Sequence, residues 1–100
     1  MGQLEKDFQA KLISSLEARF PGCIVVKNDP NYIQGFPDLT VFYKNHWAVL
    51  ECKKSKNASA RPNQSYYVKK LNDMSFSRFI FPENKEDVLH ELELAWQPSK

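Results

Sequence analysis

Three side chains in the middle of the chain have the types and spacing of a metal-assisted hydrolytic site. Asp38 follows a proline and precedes a hydrophobic run, whereas Glu51 and Lys53 close the next hydrophobic run. Two carboxylates beside a lysine suit a hard cation such as Mg²⁺, which prefers oxygen ligands and keeps several waters. Such a cation polarises a phosphodiester and lowers the pKa of a bound water. The residue types therefore point to phosphodiester hydrolysis, provided that the fold brings the three together.

A β-hairpin is the element that would position these residues. Segments 39–43 and 47–52 are short and rich in β-branched and aromatic residues, as strands are. The polar break at 44–46 contains Asn45, a residue type that tolerates the positive φ of a tight turn. The pattern predicts two antiparallel strands with the acidic residues at their open end.

Alternation along the second strand decides which side chains share a surface. One face of this strand carries Trp47, Val49, Glu51 and Lys53. The opposite face carries Ala48, Leu50 and Cys52, and we predict that it faces the core. Register then decides whether Asp38 joins the carboxylate of the second strand, because an odd turn places it on the other face unless a bulge corrects it. We expect an even turn or such a correction.

Lys53 has two conceivable tasks beside the carboxylates. It could orient or deprotonate a water, or neutralise charge on a pentacovalent phosphate. Neighbouring carboxylates favour the charged form of a lysine, so we expect electrostatic stabilisation and water positioning rather than general-base catalysis. The plain alternative is that Asp38 is a turn residue and that Glu51 and Lys53 form a solvated ion pair.

The segments Pro37-Asp38 and Glu51-Cys52-Lys53 together resemble the signature of the PD-(D/E)xK nuclease superfamily. The short chain, the GFPDL turn at 35–39 and the downstream Gln64 are most similar to the virus-type replication-repair nuclease (VRR-NUC) domains, followed by phage Holliday junction resolvases. The resemblance covers most of the chain in its order of elements, although a handful of residues carry it. It implies a DNA endonuclease that depends on Mg²⁺ or Mn²⁺.

The same resemblance implies further members of the site. A first-helix glutamate often completes the metal site of these nucleases, and Glu5 is the candidate, with Glu17 the weaker choice at the far end of the helix. The alternative for Glu5 is an ordinary exposed helix residue. The backbone carbonyl of Cys52 is implied as another metal ligand. Gln64 is implied as the residue that steadies the lysine or the nucleophilic water.

A basic loop at 54–62 follows the lysine directly. It has few large apolar residues and is long for a compact domain, and such loops are often functional. We expect it to lie over bound DNA, to be mobile without DNA, and to contact phosphates without sequence choice. Tyr32, Gln34 and Phe36 of the preceding loop flank the turn that carries Asp38 and could touch a nucleotide. The residues predicted to contact DNA are therefore Lys54, Lys56, Arg61, Tyr32 and Gln34.

The remaining pattern predicts a small α/β domain of the restriction-endonuclease-like class, with a mixed central sheet flanked by helices. Predicted helices lie at 3–19, 62–73 and 86–96, and predicted strands at 23–27, 39–43, 47–52 and 76–81, in the order α-β-β-β-α-β-α. The first strand reads as buried. The apolar stripe of the first helix is Leu4, Phe8, Leu12, Leu16 and Phe20; that of the second is Tyr67, Val68 and Leu71; that of the third is Val88, Leu89, Leu92 and Trp96.

Bulk properties set the class of protein. One hundred residues, 42% of them hydrophobic and 13% aromatic, fit one folded domain spanning 1–100 rather than a disordered chain. No apolar run is long enough for a membrane span, and the polar start predicts no signal peptide. Cys23 and Cys52 are far apart and lie in strand patterns, so we expect two buried thiols in a reducing cytoplasm. If the chain is phage-encoded, that cytoplasm belongs to a bacterial host.

Charge alone does not identify a partner, because the net charge is only +2. The nucleases that this chain resembles commonly act as homodimers on branched DNA. The resemblance therefore implies a dimer that cuts Holliday junctions or other branched substrates. Three alternatives stay open: an inactive nucleic-acid-binding module on the same fold, a nicking or exonuclease activity without junction preference, and a protein-interaction domain in which the motif is coincidental.

Overall fold

The computed structural model of the protein describes residues 3–97, which form a four-stranded mixed sheet and three helices. This confirms the predicted α/β class and the order of elements. The predicted domain, 1–100, also includes residues 1–2 and 98–100, which lie outside the described residues. The elements are α1 (Gln3–Arg19), β1 (Ile24–Lys27), β2 (Leu39–Tyr43), β3 (His46–Cys52), α2 (Pro62–Met74), β4 (Ser77–Ile80) and α3 (Lys85–Ala95).

The sheet follows chain order, β1-β2-β3-β4, and the strand pairing changes once from antiparallel to parallel. The first two pairings are antiparallel, and β3 runs parallel to β4, with Val49 opposite Ser77. A parallel pair needs a crossover connection, and α2 supplies it. This crossover places α2 against β3 and β4. As a result, the residues at the start of α2 lie near the end of β3.

The main core lies between one face of the sheet and the two helices α1 and α3. The predicted core face of β3 is confirmed, because Ala48, Leu50 and Cys52 are fully buried against helix residues such as Leu12 and Leu92. The predicted stripe of α3 is buried throughout: Val88, Leu89, Leu92 and Trp96. The second helix packs less deeply, since Leu71 is buried while Tyr67 and Val68 are half-buried.

Three expectations about buried positions are wrong. Leu4 is 72% exposed, because the first turn of α1 extends past the core and borders an open groove. Strand β1 is an open edge of the sheet rather than a buried strand, with Ile24 63% exposed and Val26 41% exposed. Cys23, just before this strand, is half-buried, whereas Cys52 in the central strand is fully buried as expected.

The hairpin turn differs from expectation in which residue takes the unusual backbone conformation. The turn has two residues, since Tyr43 pairs with His46. Within residues 3–97, Lys44 is the non-glycine residue with a positive φ, 57°, so the expectation for Asn45 is wrong. In the same described range, no helix is long and apolar enough to cross a membrane.

Candidate active site

The hairpin register brings the two carboxylates together at the open end of β2 and β3. Leu39 pairs with Leu50, so the same register extended by one residue sets Asp38 opposite Glu51. The two-residue turn confirms the predicted even loop. Asp38 Oδ2 also accepts a hydrogen bond of 2.9 Å from the backbone N–H of Cys52, which holds the aspartate against the partner strand.

Asn28 and Pro37 fix the position of the aspartate before the strand begins. The Asn28 backbone N–H donates to the Asp38 carbonyl at 2.8 Å, and its side-chain Nδ2 donates to the Pro37 carbonyl at 2.9 Å. The same amide donates to Thr40 Oγ1 at 2.9 Å. Pro37 itself is fully buried. These contacts tie the residue after β1 to the segment that leads into β2, and so hold Asp38 in place just before that strand.

Glu51 is a buried carboxylate with one oxygen satisfied and one free. The residue is only 3% exposed, and its Oε2 accepts a hydrogen bond of 2.9 Å from Gln64 Nε2. Lys53 Nζ lies 4.0 Å from the same oxygen. Oε1 is buried and has no hydrogen-bond partner among the described residues. A buried carboxylate oxygen without a partner is costly unless a positive group compensates it.

Gln64 ties the lysine to the glutamate. Lys53 Nζ donates to Gln64 Oε1 at 2.7 Å and to the Ser59 carbonyl at 3.1 Å. Gln64 Oε1 also accepts the backbone N–H of Arg61 at 3.0 Å, because Gln64 occupies the first turn of α2. The basic loop is therefore attached to the site at Ser59 and Arg61.

Burial raises the pKa of both carboxyl groups, and nearby negative charge adds to the shift. Burial, and then the Asp38 carboxylate, raise the pKa of Glu51 to about 8, with Lys53 opposing them. Burial also raises the pKa of Asp38, while the Cys52 backbone N–H opposes the shift. Two carboxylates whose charged forms are disfavoured in this way gain strongly from a cation placed between them.

Asp38 and Glu51 line a cleft of about 780 Å³, and helix α1 contributes two more residues to its lining. Glu5 is half-buried, lines the cleft, and its negative charge raises the pKa of both Asp38 and Glu51. Gln9 is 6% exposed, and its side chain hydrogen-bonds to the Cys52 thiol. Glu17, the weaker alternative, lies instead near Cys23, whose thiol pKa it raises together with burial.

The donor set fits a hard cation that keeps part of its water shell. Asp38 and Glu51 offer oxygen ligands, and the unpartnered Oε1 of Glu51 is an orphan that a cation would satisfy. The implied carbonyl ligand, Cys52, follows Glu51 directly on the same strand. No group of three or more His, Cys, Asp or Glu side chains is close enough to form a metal cage within residues 3–97.

The residues predicted to contact DNA divide into those at the cleft and those outside it. Arg61 lines the main cleft, and Lys54 borders the adjoining groove beside Glu5. Tyr32 is 84% exposed on the preceding loop, where it borders a separate pocket. Gln34 borders a smaller lobe that contains the carboxylates. Lys56 does not line the cleft; it borders another pocket, whose lining also includes Lys53, Phe79 and Phe81.

Several residues of the cleft are missed by reasoning from sequence, among them Lys27, Gln9 and Asn28 in the main cleft and Asn63 in its smaller lobe. Lys27 lines the cleft from the end of β1, and Gln9 lines it from α1. The signal for Lys27 is its place at the end of β1, directly before the loop 28–38 that leads to Asp38. Gln9 has a weaker signal, because it adjoins Phe8 in the apolar stripe but only tertiary packing shows that it is buried.

Comparison of the chain with protein-family profiles, curated proteins and solved structures finds no match.

Proposed function

We propose that the protein is a metal-dependent DNA endonuclease of the PD-(D/E)xK type. The observation that carries the proposal is the placement of Asp38 opposite Glu51 at the end of the hairpin, in a cleft that both residues line, with one buried oxygen of Glu51 unpartnered among the described residues. Here Lys53 is 4.0 Å from the other oxygen, and its hydrogen bonds go to Gln64 and Ser59.

Each residue of the site has a task in phosphodiester hydrolysis. Asp38 and Glu51 would hold Mg²⁺ or Mn²⁺, with the Cys52 carbonyl and Glu5 assisting, and the ion would supply Lewis-acid activation of water and phosphate. Lys53 is placed to orient the attacking water and to neutralise charge that builds up on the phosphate oxygens. Gln64 fixes the lysine ammonium and the glutamate carboxylate relative to each other.

The substrate that the surroundings favour is a DNA backbone. Lys27, Lys53 and Arg61 line the cleft, and Lys54 continues the positive charge into the adjoining groove. Such contacts bind phosphates irrespective of sequence. A domain of this size offers little surface to a duplex, so we propose that it acts as a homodimer on branched DNA, with Holliday junctions the first candidate, in the cytoplasm of a bacterial host if it is phage-encoded.

Cleavage assays test the proposal directly. Labelled duplex, flap, splayed-arm and four-way-junction DNA are incubated with wild-type protein in Mg²⁺, in Mn²⁺ or in EDTA. The matched variants are Glu51→Gln, which keeps the size of the side chain, and Lys53→Ala, with Lys69→Ala on the exposed surface of α2 as the control. We expect metal-dependent cutting that is lost in the first two variants and retained in the control.

The alternatives give different results in the same assay. Tight binding without cutting on any substrate would identify an inactive nucleic-acid-binding module. Cutting that starts only from DNA ends, or that leaves single nicks on every substrate, would replace junction cleavage with exonuclease or nicking activity. An absence of both cutting and binding would contradict the nuclease proposal altogether.

A further inference from the structure

The cleft divides into two lobes at the catalytic carboxylates. Asp38 and Glu51 line a larger lobe of about 780 Å³, which contains lysines, and a smaller lobe of about 270 Å³. Apart from Arg61, which borders both lobes, the smaller one has no basic lining residue. We call the smaller lobe the amide pocket, because its own lining is Asn31, Gln34, Gly35, Phe36 and Asn63.

The side-chain amides of the amide pocket have no partners within the protein. Among residues 3–97, the side chains of Asn31, Gln34 and Asn63 make no hydrogen bond to another residue. Other amides near the site behave differently, since Asn28 and Gln64 use theirs to fix backbone and catalytic groups. Asn63 is half-buried, so its free amide suits a bound ligand.

The wall of the amide pocket is held rigidly by close packing. Gly35 has a φ of 83°, and a Cβ built on it would lie 2.6 Å from Asn63 Cγ and 2.8 Å from the Asn63 carbonyl carbon. Phe36 packs on Tyr67 of α2, with ring centroids 5.6 Å apart. The loop before β2 and the first turn of α2 therefore form one unit with a fixed shape.

We propose that the amide pocket holds the nucleobase of an unpaired nucleotide next to the scissile phosphate. The inference rests on the proposed nuclease function and names a subsite for it. Side-chain amides both donate and accept hydrogen bonds, as base edges do. The volume is below the roughly 300–1,000 Å³ of pockets for drug-sized ligands, which leaves room for one base. Phe36 supplies an apolar wall for its ring.

An unpaired base follows from the geometry. A base inside a duplex is stacked and cannot enter a pocket beside the carboxylates, so entry requires unstacking. That cost is smallest for a nucleotide that is already unpaired, as at a branch, gap or mismatch. The amide pocket would therefore select DNA with an unpaired nucleotide on one side of the cut, while the lysines of the larger lobe bind phosphates on the other side.

Cleavage of abasic substrates tests this inference. Branched DNA is prepared with an abasic nucleotide at each position flanking the mapped cut, and kcat/KM is measured for wild type, Asn63→Ala, Gln34→Ala and the turn variant Asn45→Ala as control. We expect one abasic position to lower kcat/KM of wild type and control by roughly 10-fold or more. Asn63→Ala and Gln34→Ala should lose a similar factor on intact DNA and show little further loss on abasic DNA. Independent, multiplicative effects would overturn the inference.

A binding measurement separates this inference from the nuclease proposal. The fluorescence of 2-aminopurine at the unpaired nucleotide of branched DNA is followed as wild-type protein is added in EDTA, where metal-dependent cutting cannot occur. A change that is lost in Gln34→Ala and Asn63→Ala supports the pocket even if wild type never cuts. Cutting without this change, or with a change that both variants retain, overturns the pocket alone. An absence of both cutting and fluorescence change overturns both proposals.

Discussion

Gln64 shows how much of the candidate site depends on one uncharged side chain. Its N–H group donates to the Glu51 carboxylate, and its oxygen accepts from the Lys53 ammonium and from the backbone of Arg61. A reversed amide would set its oxygen against the carboxylate and its N–H group against the ammonium. The two charged neighbours therefore fix the amide in one orientation, and the amide in turn fixes their separation.

Removal of this amide should impair the site without unfolding the protein. In Gln64→Ala, Glu51 Oε2 loses its amide donor and Lys53 loses an acceptor, so both side chains are less well positioned. We expect kcat/KM to fall by roughly 10- to 100-fold, as is typical for groups that orient ligands, with a parallel loss of Mg²⁺ affinity. Cleavage kinetics and a metal titration measure the two effects. The control is Ser65→Ala on the exposed side of the same turn; equal kinetics in the two variants would contradict the bridging role.

Glu51 should make stability depend on pH when no cation is bound. Its folded-state pKa, about 8, lies above the ordinary value of 4.5, so the folded protein holds a proton that the unfolded chain releases. The free energy of unfolding should therefore be highest below pH 4.5 as far as this group is concerned, and should fall as pH rises toward 8, by on the order of a few kcal/mol. Urea unfolding in EDTA across this range measures the slope.

Glu51→Gln isolates the contribution of this residue to the slope. The amide cannot titrate, so the variant should lose most of the decline, while the smaller contribution of Asp38 in the same direction remains. Saturating Mg²⁺ should also flatten the wild-type curve, because a cation stabilises the ionised form. A wild-type curve that rises between pH 5 and 8 in EDTA would contradict the burial of an uncompensated carboxyl group.

Sequence reasoning reached the three central residues because strand alternation and an even turn leave few arrangements. Once the turn has two residues, Asp38 must lie opposite Glu51, and Lys53 is two positions further on. Gln9 and Asn63 could not be found in this way. Each is a polar residue near a helix stripe or helix start, and its place in the site depends on how α1 and α2 dock against the sheet.

Among the contacts between elements, the packing of the loop before β2 against α2 is the easiest to test by substitution. Gly35→Ala places a methyl group against the backbone and side chain of Asn63, and Gly35 also has a positive φ. The variant should lose more than the roughly 1–2 kcal/mol expected for an L-residue in this conformation. It should also lose activity, since the start of α2 carries Gln64. Urea unfolding and cleavage assays measure the two losses.

Gly22 offers a matched comparison for that substitution. It has a φ of 91°, and nothing lies within 4 Å of an added Cβ. Gly22→Ala should therefore show the conformational cost alone and keep its activity. Equal losses of stability and equal cutting of DNA in the two variants would contradict the close packing of the loop before β2 against α2.

Helix positions were predicted closely because each apolar stripe has a clear period and a clear end. Helix α1 has the predicted bounds, and the stripe of α3 is buried as expected. Strand β1 was misjudged because CIVVK is apolar on both faces, which is typical of a central strand. Its exposure follows from the order of strands in the sheet, which no local sequence pattern encodes. Strand β1 lies at one edge, whereas α2 packs on β3 and β4 at the other end of the strand order and leaves β1 uncovered.

At the scale of the whole molecule, the charge distribution predicts a specific salt dependence. Lys54 and Arg61 border the cleft system, so each should contact about one phosphate. Alanine at either position should reduce the slope of log affinity against log salt by about 1 without changing which DNA is preferred. Binding titrations between 50 and 200 mM salt in EDTA test this, in the range where such contacts change affinity most.

Lys69→Ala is the matched control for the salt titrations, because Lys69 is exposed on α2 and does not line the cleft. It should leave the slope unchanged. A slope that changes equally in all three variants would indicate diffuse attraction by the whole surface rather than a defined phosphate track.

The crossover through α2 has a consequence for the order in which the chain gains its function during synthesis. The hairpin that carries Asp38, Glu51 and Lys53 is local in sequence and can pair as soon as it emerges. Gln64 arrives later, and β4 must align parallel to β3 before the central strand is enclosed. Pairing between distant segments is slow compared with hairpin formation. In the proposed nuclease, the nascent chain would thus hold the acidic residues without a complete site, and activity would begin only when β4 has paired with β3.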